Sequence, residues 1–304
     1  MTQSQGQRRI GAIEGGGTKF VCVVGDAPAR ILARAVVPTR DPAATLGDCL
    51  AFFRDAATGS GPVEALGIAC FGPLQLRRDA PDFGHLFPTP KAGWSGVDVL
   101  GTFGRALGVP VCLDTDVGCA ALGEWRLGAG RGQGSLAYVT VGTGIGGAVV
   151  PCGGTRLMHA EMGHLAVRRD ARDAGFPGVC PFHGDCLEGL AGGPAVRARW
   201  GCDLAELPPG HAGREIIAGY VAQLAAALAL LHSPEVIVIG GGVTAGGDLL
   251  PQIRRATHAL LGTYLPPLRT ADQVESLIRP PGLGADSAIV GALQMANDAL
   301  TGRS

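Results

Sequence analysis

The stretch IGAIEGGGTKFVCVV, residues 10–24, consists of two short apolar runs on either side of a glycine turn. Short apolar runs bounded by turn residues favour strands, and consecutive glycines favour a tight connection between them. The stretch therefore predicts a β-hairpin with strands at Ile10–Ile13 and Phe20–Val24. The turn lacks the Gly-Lys-Ser/Thr ending of a P-loop. Because a strand follows it where a helix would be required, it is not a dinucleotide-binding fingerprint either.

The same pattern of strand, glycine turn and strand returns further along the chain. A strand at Ser135–Val141, the turn GTGIGG at 142–147 and a strand at Ala148–Val150 form one copy, and a strand at Val236–Ile239 runs into Gly240–Val243. Glycines let backbone N–H groups converge on an anion, and a threonine hydroxyl adds a donor. A single turn of this kind is usually only a hairpin connection, but three of them together favour a nucleotide-binding site.

The remaining pattern indicates an α/β protein with a structural duplication. Strands are expected at Ala65–Cys70 and Val109–Leu113, an Ala-rich helix at Val117–Trp125 and a buried helix at Tyr220–Leu231. We expect an N-terminal domain at 1–117 and a C-terminal domain at 118–304. A last helix at about 290–304 is expected to pack back on the first domain.

Composition narrows the class of protein. The chain has 304 residues, 46% of them hydrophobic, and a formal net charge of −1, which argues against a nucleic-acid-binding protein that relies on a basic surface. The N-terminus has no secretory-signal pattern, and the apolar run Val221–Leu231 is too short to span a bilayer. Nine cysteines, an odd number, do not suggest a secreted disulfide framework. We therefore expect a cytoplasmic protein without a membrane partner.

A cysteine and histidine cluster, CPFHGDC at 180–186 with His164 upstream, offers four nitrogen and sulfur ligands. Such a set fills a closed tetrahedral zinc site, and zinc of that kind is structural because no coordination position stays open for a substrate. Two buried thiols beside a surface histidine are the simpler alternative. The segment around Gly175–Asp185 is rich in Gly and Pro, so it needs an additional stabilising link. A bound zinc ion would supply that link, which favours the zinc interpretation. His159 and Asp185 are the substitute ligands.

The set of glycine turns resembles the phosphate and adenosine segments of the sugar-kinase, Hsp70 and actin superfamily, in which two related domains with a ribonuclease H-like, actin-like ATPase fold close over ATP. The resemblance implies that the first turn approaches the γ-phosphate, the second the β- and γ-phosphates, and the third the adenosine. It implies a hydrated Mg²⁺ facing Glu14, where many relatives carry Asp. The implied ATP-binding residues are Gly15, Gly16, Gly17, Thr18, Lys19, Gly142, Thr143, Gly144, Gly146, Gly241 and Gly242.

The segment EMGH at 161–164, followed by the cysteine and histidine cluster and by CLEG at 186–189, resembles the signature of the ROK family of sugar kinases and regulators. Common members use three cysteines and one histidine in the cluster. His183 in place of a cysteine is similar to the bacterial fructokinase branch. The resemblance runs from about Ile10 to Leu293.

The family resemblance implies roles for individual residues. Asp116 matches the catalytic base that takes the proton of the attacking sugar hydroxyl, with Asp114 as its rival and a helix N-cap as its alternative role. Thr115 and Gly118 differ from the commonest residues of the family. The implied sugar-binding residues are Gly72, Thr115, Asp116, Glu161, His164 and Glu188, and the implied zinc ligands are His164, Cys180, His183 and Cys186.

Together these features predict an ATP-dependent sugar kinase that requires Mg²⁺ and carries structural zinc. Fructose is the expected acceptor, fructose 6-phosphate the expected product, and a homodimer the expected assembly. A mannokinase or glucokinase of the same family and a noncatalytic sugar-binding regulator are the alternatives. A DNA-binding repressor is disfavoured because too little chain precedes the first turn for a helix-turn-helix.

Overall fold

The computed structural model describes residues 8–152, 160–245 and 249–302, which contain nine strands and nine α-helices. The strands are Ile10–Gly15 (β1), Lys19–Ala27 (β2), Arg30–Pro38 (β3), Ala65–Cys70 (β4), Val111–Thr115 (β5), Leu136–Val141 (β6), Ile145–Val150 (β7), Val236–Gly240 (β8) and Ile278–Arg279 (β9). The helices are Pro42–Ser60 (α1), Val99–Leu107 (α2), Asp116–Leu127 (α3), Leu187–Ala191 (α4), Gly193–Trp200 (α5), Ala212–His232 (α6), Leu249–Leu261 (α7), Ala271–Leu277 (α8) and Ser287–Thr301 (α9).

The strands form two separate sheets with related topology. The first has the order β3-β2-β1-β4-β5, with an antiparallel β1–β2 hairpin and with β4 and β5 parallel to β1. The second has the order β7-β6-β8-β9, with an antiparallel β6–β7 hairpin and with β8 and β9 parallel to β6. Each sheet therefore contains a glycine-linked hairpin followed by parallel strands, which is the repeated pattern of the sequence.

The chain divides into two compact units, one on each sheet. The first unit runs to Gly123 and resumes at Ala285, and the second covers Glu124–Gly284. In the first unit α9 packs on β1 and β4, and a core of buried side chains lies between the sheet and α1. Trp94 is fully buried in this core and stacks on Phe20, with ring centroids 5.4 Å apart.

The second unit has its core around α6, which buries Tyr220, Val221 and Leu224. The predicted helix began at Tyr220, whereas α6 starts at Ala212, where Nδ1 of His211 caps it by accepting the N–H of Gly213 at 3.0 Å. By length and composition α6 could cross a membrane, but most of its apolar stretch lies inside this unit. We therefore assign it as a core helix of the second unit.

Several strand boundaries differ from the sequence prediction, and two of them lie beside predicted site residues. β5 begins at Val111, after Pro110, and continues through Thr115. β7 begins at Ile145, so that Gly146 and Gly147 are strand residues and the second turn is shorter than predicted. A Cβ built on Gly147 would lie 2.8 Å from the backbone carbonyl oxygen of Tyr138 on β6, so the paired strands leave no room for a side chain at this position.

Candidate functional site

The first glycine turn joins β1 to β2 and is fixed through its carbonyl groups. Thr39 donates its hydroxyl to the Gly16 carbonyl at 2.8 Å and its backbone N–H to the Thr18 carbonyl at 3.0 Å. Among the described residues we find no acceptor for the backbone N–H of Gly17 or Thr18. Since backbone N–H groups in a glycine turn favour anions, this turn can bind phosphate.

Two carboxylates of the first unit interact beside this turn. Glu14 lies next to the end of β1, and Asp116 is the first residue of α3. Burial, together with the charge of Asp116, raises the pKa of Glu14 from its ordinary value of 4.5 to about 7, although Lys19 and Arg34 oppose the rise. A bound cation would reverse this effect, because carboxylates are oxygen ligands that hard divalent cations prefer.

The structure separates the roles of the three residues where β5 ends and α3 begins. The hydroxyl of Thr115 accepts the N–H of Gly118 at 3.0 Å, so Thr115 makes the capping contact that was the alternative role of Asp116. Asp114 is buried, and its Oδ1 accepts the N–H of Thr115 at 2.6 Å. Asp116 is only partly buried, and its Oδ1 accepts the N–H of Val117 at 2.8 Å. Of the two rival aspartates, Asp116 is therefore the more accessible to a substrate.

The second glycine turn is held by the elements that follow the cysteine and histidine cluster. Glu188, on α4, accepts the N–H of Ile145 at 2.8 Å through Oε2. The N–H of Gly193, the first residue of α5, donates to the Gly142 carbonyl at 2.7 Å. Glu188, which was predicted to bind sugar, thus also fixes the predicted phosphate turn, and these two parts of the second unit are brought together.

The third glycine segment follows β8 and lies directly against the second turn. Gly241 has a φ of 102°, a conformation that side chains with a Cβ rarely adopt. A Cβ on Gly241 would lie 2.4 Å from the carbonyl oxygen of Val141, the residue before the second turn. The two glycine segments that were predicted to bind ATP in this unit are therefore neighbours.

Other predicted sugar residues lie around the same part of the second unit. Glu161 precedes a 3₁₀ turn at Met162–His164, and its carbonyl accepts the N–H of His164 at 3.1 Å. This turn packs tightly on Ile145, the first residue of β7. In the first unit, Gly72 follows β4 and forms a cis peptide bond with Pro73. The predicted residues therefore fall into two groups, one in each unit.

The cysteine and histidine cluster is assembled with the geometry that the spacing predicts. One ligand atom from each of His164, Cys180, His183 and Cys186 lies within 4.8 Å of all the others. The Sγ atom of Cys180 is 3.7 Å from Nδ1 of both histidines, and the Sγ atom of Cys186 is 3.5 Å from Nδ1 of His164. Tetrahedral zinc with ordinary bond lengths requires a sulfur–nitrogen separation of about 3.6 Å. The four residues thus fit a zinc ion.

The two residues that were named as substitute zinc ligands are Asp185 and His159. Asp185 forms an ion pair with Arg169 at 3.1 Å, so its carboxylate already has a cationic partner. His159 lies outside the described residues.

Burial raises the pKa of the Cys186 thiol, so a cation in the cluster would be needed to favour its thiolate form at neutral pH.

A buried network that sequence reasoning missed supports the loop between His164 and Cys180. Asp173, in this loop, pairs with Arg199 of α5 at 2.7 Å, and the two side chains are only 6% and 5% exposed. The hydroxyl of Tyr220 donates to Asp173 at 2.8 Å. Arg199 also lies 3.7 Å above the ring of Phe176. These contacts join the loop to two helices, and because the residues are far apart in sequence, no local motif reveals them.

The order of motifs and the two related sheets agree with comparisons to known proteins. A sequence profile of the ROK family matches residues 10–299. The chain belongs to the ROK family. The predicted membership is thereby confirmed.

Three similar proteins show how far the likeness extends. The chain is 44% identical over 293 residues to a fructokinase of Zymomonas mobilis subsp. mobilis, covering 94% of this chain and 95% of the relative. It is 29% identical to the ROK hexokinase of Thermus thermophilus, with a TM-score of 0.78 and coverage of 97% and 99% of the two chains. It is 25% identical to a ROK family glucokinase of Streptomyces griseus solved with glucose and AMPPNP, with a TM-score of 0.71 and coverage of 95% and 99%. The predicted α/β actin-like ATPase fold is confirmed.

Proposed function

We propose that this ROK protein is a fructokinase that transfers the γ-phosphate of ATP to D-fructose and forms ADP and D-fructose 6-phosphate. The observation that carries the proposal is the 44% identity to a fructokinase over nearly the whole of both chains. The likeness to a glucokinase is lower, at 25% identity. The glycine turns and the interacting carboxylates of Glu14 and Asp116 also support the transfer of a phosphoryl group to an alcohol.

In the first unit, the proposed catalytic base is Asp116. Phosphoryl transfer requires little covalent work from the protein beyond positioning, charge neutralisation and acceptance of the hydroxyl proton. Asp116 has the accessibility for the last task, and its position at the amino end of α3 favours a carboxylate. We assign Gly15–Lys19 to the phosphates and Glu14 to a hydrated Mg²⁺, which would neutralise phosphate charge when bound.

In the second unit, we assign the second and third glycine segments to the nucleotide. Gly142, Thr143, Gly144 and Gly146 are proposed to contact phosphates, and Gly241 and Gly242 the adenosine. This assignment is supported by the packing of Gly241 against the strand that precedes the second turn.

The proposed sugar contacts of the first unit are Gly72, Thr115 and Asp116. The proposed sugar contacts of the second unit are Glu161, His164 and Glu188. For Thr115 the contact would be made by a hydroxyl that also caps α3. Glu188 would bind a sugar hydroxyl while its Oε2 keeps the contact with Ile145.

We propose that the cysteine and histidine cluster holds a structural zinc ion through His164, Cys180, His183 and Cys186. The sulfur–nitrogen distances of 3.5–3.7 Å support this assignment. Zinc would fix the start and the end of the loop between His164 and Cys180, and α4 with Glu188 follows directly after the last ligand.

We further propose that the protein works as a homodimer in the cytoplasm. None of the nine cysteines forms a disulfide, which suits a reducing compartment, and the dimer is an expectation from the family resemblance. Sedimentation of the purified protein at several concentrations tests the dimer directly.

The decisive experiment follows ADP release by zinc-loaded protein with Mg-ATP and fructose, mannose, glucose, N-acetylmannosamine or no sugar. Turnover largely confined to fructose is the expected result. Turnover on another hexose would preserve the kinase assignment and replace the acceptor. A folded protein that turns over none of these sugars would refute the kinase function.

The same assay separates the two rival aspartates. Asp116→Ala is expected to lower kcat by at least about a hundredfold while fructose binding changes much less. Asp114→Ala serves as the comparison, with the melting temperature of each variant measured in parallel. A larger loss of kcat in a folded Asp114→Ala would overturn the assignment of the base.

A further inference from the structure

Both lysines of this chain lie at the first glycine turn. Arginine supplies every other basic side chain apart from the histidines, and the two lysines are Lys19 and Lys91. Lys19 begins β2 directly after the turn, whereas Lys91 belongs to the long segment between β4 and α2. Lys91 thus reaches the turn from 74 residues away in sequence, and its Nζ donates a hydrogen bond to the Gly17 carbonyl.

The backbone of Lys91 is fixed, although its ammonium group is held by a single described contact. The N–H of Trp94 donates to the Lys91 carbonyl at 3.1 Å. Trp94 is fully buried, stacks on Phe20 and donates its ring N–H to the Arg40 carbonyl at 3.0 Å. Because Phe20 lies at the start of β2, this packing fixes Lys91 to the same strand that leaves the turn.

The ammonium group of Lys91 is not committed to a carboxylate. In the described parts of the chain no ion pair involves Lys91, and the contact with Gly17 uses one of its three N–H donors. A lysine is a compact cation on a flexible stem, so it can exchange one acceptor for another at low cost. A carbonyl is a weaker acceptor than a phosphate oxygen, because hydrogen bonds between charged groups are stronger.

We propose that Lys91 is a further nucleotide-binding residue, which leaves the Gly17 carbonyl and binds the γ-phosphate of ATP at the first turn. Two independent features support an anion at this place: the backbone N–H groups of Gly17 and Thr18 have no acceptor among the described residues, and the uncommitted ammonium lies at the same turn. The inference rests on the proposed function, since it requires the first turn to receive ATP.

The test compares a ligand with a γ-phosphate to one without. Binding of Mg-AMPPNP and of Mg-ADP is measured by titration calorimetry without sugar, for the zinc-loaded wild type, Lys91→Met and Lys91→Arg. Lys91→Met is expected to weaken AMPPNP binding about tenfold or more and ADP binding by less than about twofold, because one charge-assisted contact is lost. Lys91→Arg keeps the positive charge and is expected to weaken AMPPNP binding less than Lys91→Met does.

A matched control is Arg54→Met, which removes one positive charge from an exposed position on α1 in the same unit and should change neither affinity. If Lys91→Met weakened the binding of both nucleotides equally and lowered the melting temperature, Lys91 would only stabilise the turn. An unchanged AMPPNP affinity would likewise overturn the inference, while the proposed kinase function would stand. Failure of the wild type to bind either nucleotide would instead remove the proposed function, and the inference with it.

Discussion

Replacing Glu14 by glutamine is expected to stabilise the metal-free protein at alkaline pH. Glu14 is partly buried, and the charges that reach its carboxyl group are those of Asp116, Lys19, Arg34 and Asp286. Burial and the two aspartates disfavour its ionised form more than the two cations favour it. Glutamine keeps the size of the side chain and removes this ionisation.

The size and sign of the effect follow from the pKa of Glu14, which rises from 4.5 to about 7 in the folded protein. Below the lower value both the folded and the unfolded chain carry a protonated Glu14, and there is no penalty. As pH rises through the interval, the unfolded chain ionises first, so stability is lost until the folded group also ionises near pH 7. At about 1.4 kcal/mol per pH unit, the full loss is about 3 kcal/mol.

The assay is urea unfolding of the wild type and Glu14→Gln in EDTA, at about pH 5 and about pH 8.5. The free energy of unfolding of Glu14→Gln relative to the wild type should increase by about 2–3 kcal/mol between the two conditions. Glu64→Gln, an exposed glutamate of the same unit, is the control and should show no comparable change. The same relative stability at both pH values would refute the reasoning. Adding Mg²⁺ should stabilise the wild type more than the variant.

Three further predictions concern the turn, the cluster and its support. Gly17→Ala should preserve the fold, since a Cβ there has no heavy atom within 4 Å, yet weaken Mg-AMPPNP binding at least about tenfold in calorimetry; unchanged affinity would contradict the role of the turn. Protein purified with zinc should contain one zinc ion per chain by elemental analysis, and chelation should lower its melting temperature, whereas Cys180→Ser should bind none tightly. Asp173→Asn should cost about 3–5 kcal/mol in urea unfolding because it leaves a buried guanidinium unpaired, and Tyr220→Phe only about 1 kcal/mol; equal losses would contradict this account of the network.

Features that depend on a few neighbouring residues were predicted closely. The strand at residues 65–70 has the same limits in the structure as in the sequence prediction, because an uninterrupted apolar run ends at a glycine and a proline. The first hairpin was also predicted in the right place, although its strands extend further than the apolar runs. The cysteine and histidine cluster was recognisable because three of its four residues lie within seven positions of the sequence.

Features that depend on distant neighbours were missed or misjudged. The second turn was predicted to be too long because its glycines look alike in sequence, whereas Gly147 is a strand residue whose Cβ would clash with the Tyr138 backbone. Thr115 was considered only as a sugar contact, because its capping hydrogen bond exists only once α3 starts at Asp116. The scarcity of lysine was a signal that could have drawn attention to Lys91, but its contact with Gly17 could not be read from it.

The sequence by itself determined the glycine turns, the residues of the cysteine and histidine cluster and the resemblance to the ROK family, because each is carried by residue types at short, fixed spacings. Only the tertiary structure decided the energies and the roles that depend on surroundings: the raised pKa of Glu14, the accessibility of Asp116 relative to Asp114, and the approach of Lys91 to the first turn. The physical reason is that burial and charge act through space, so their effect on a side chain is set by neighbours that are distant along the chain.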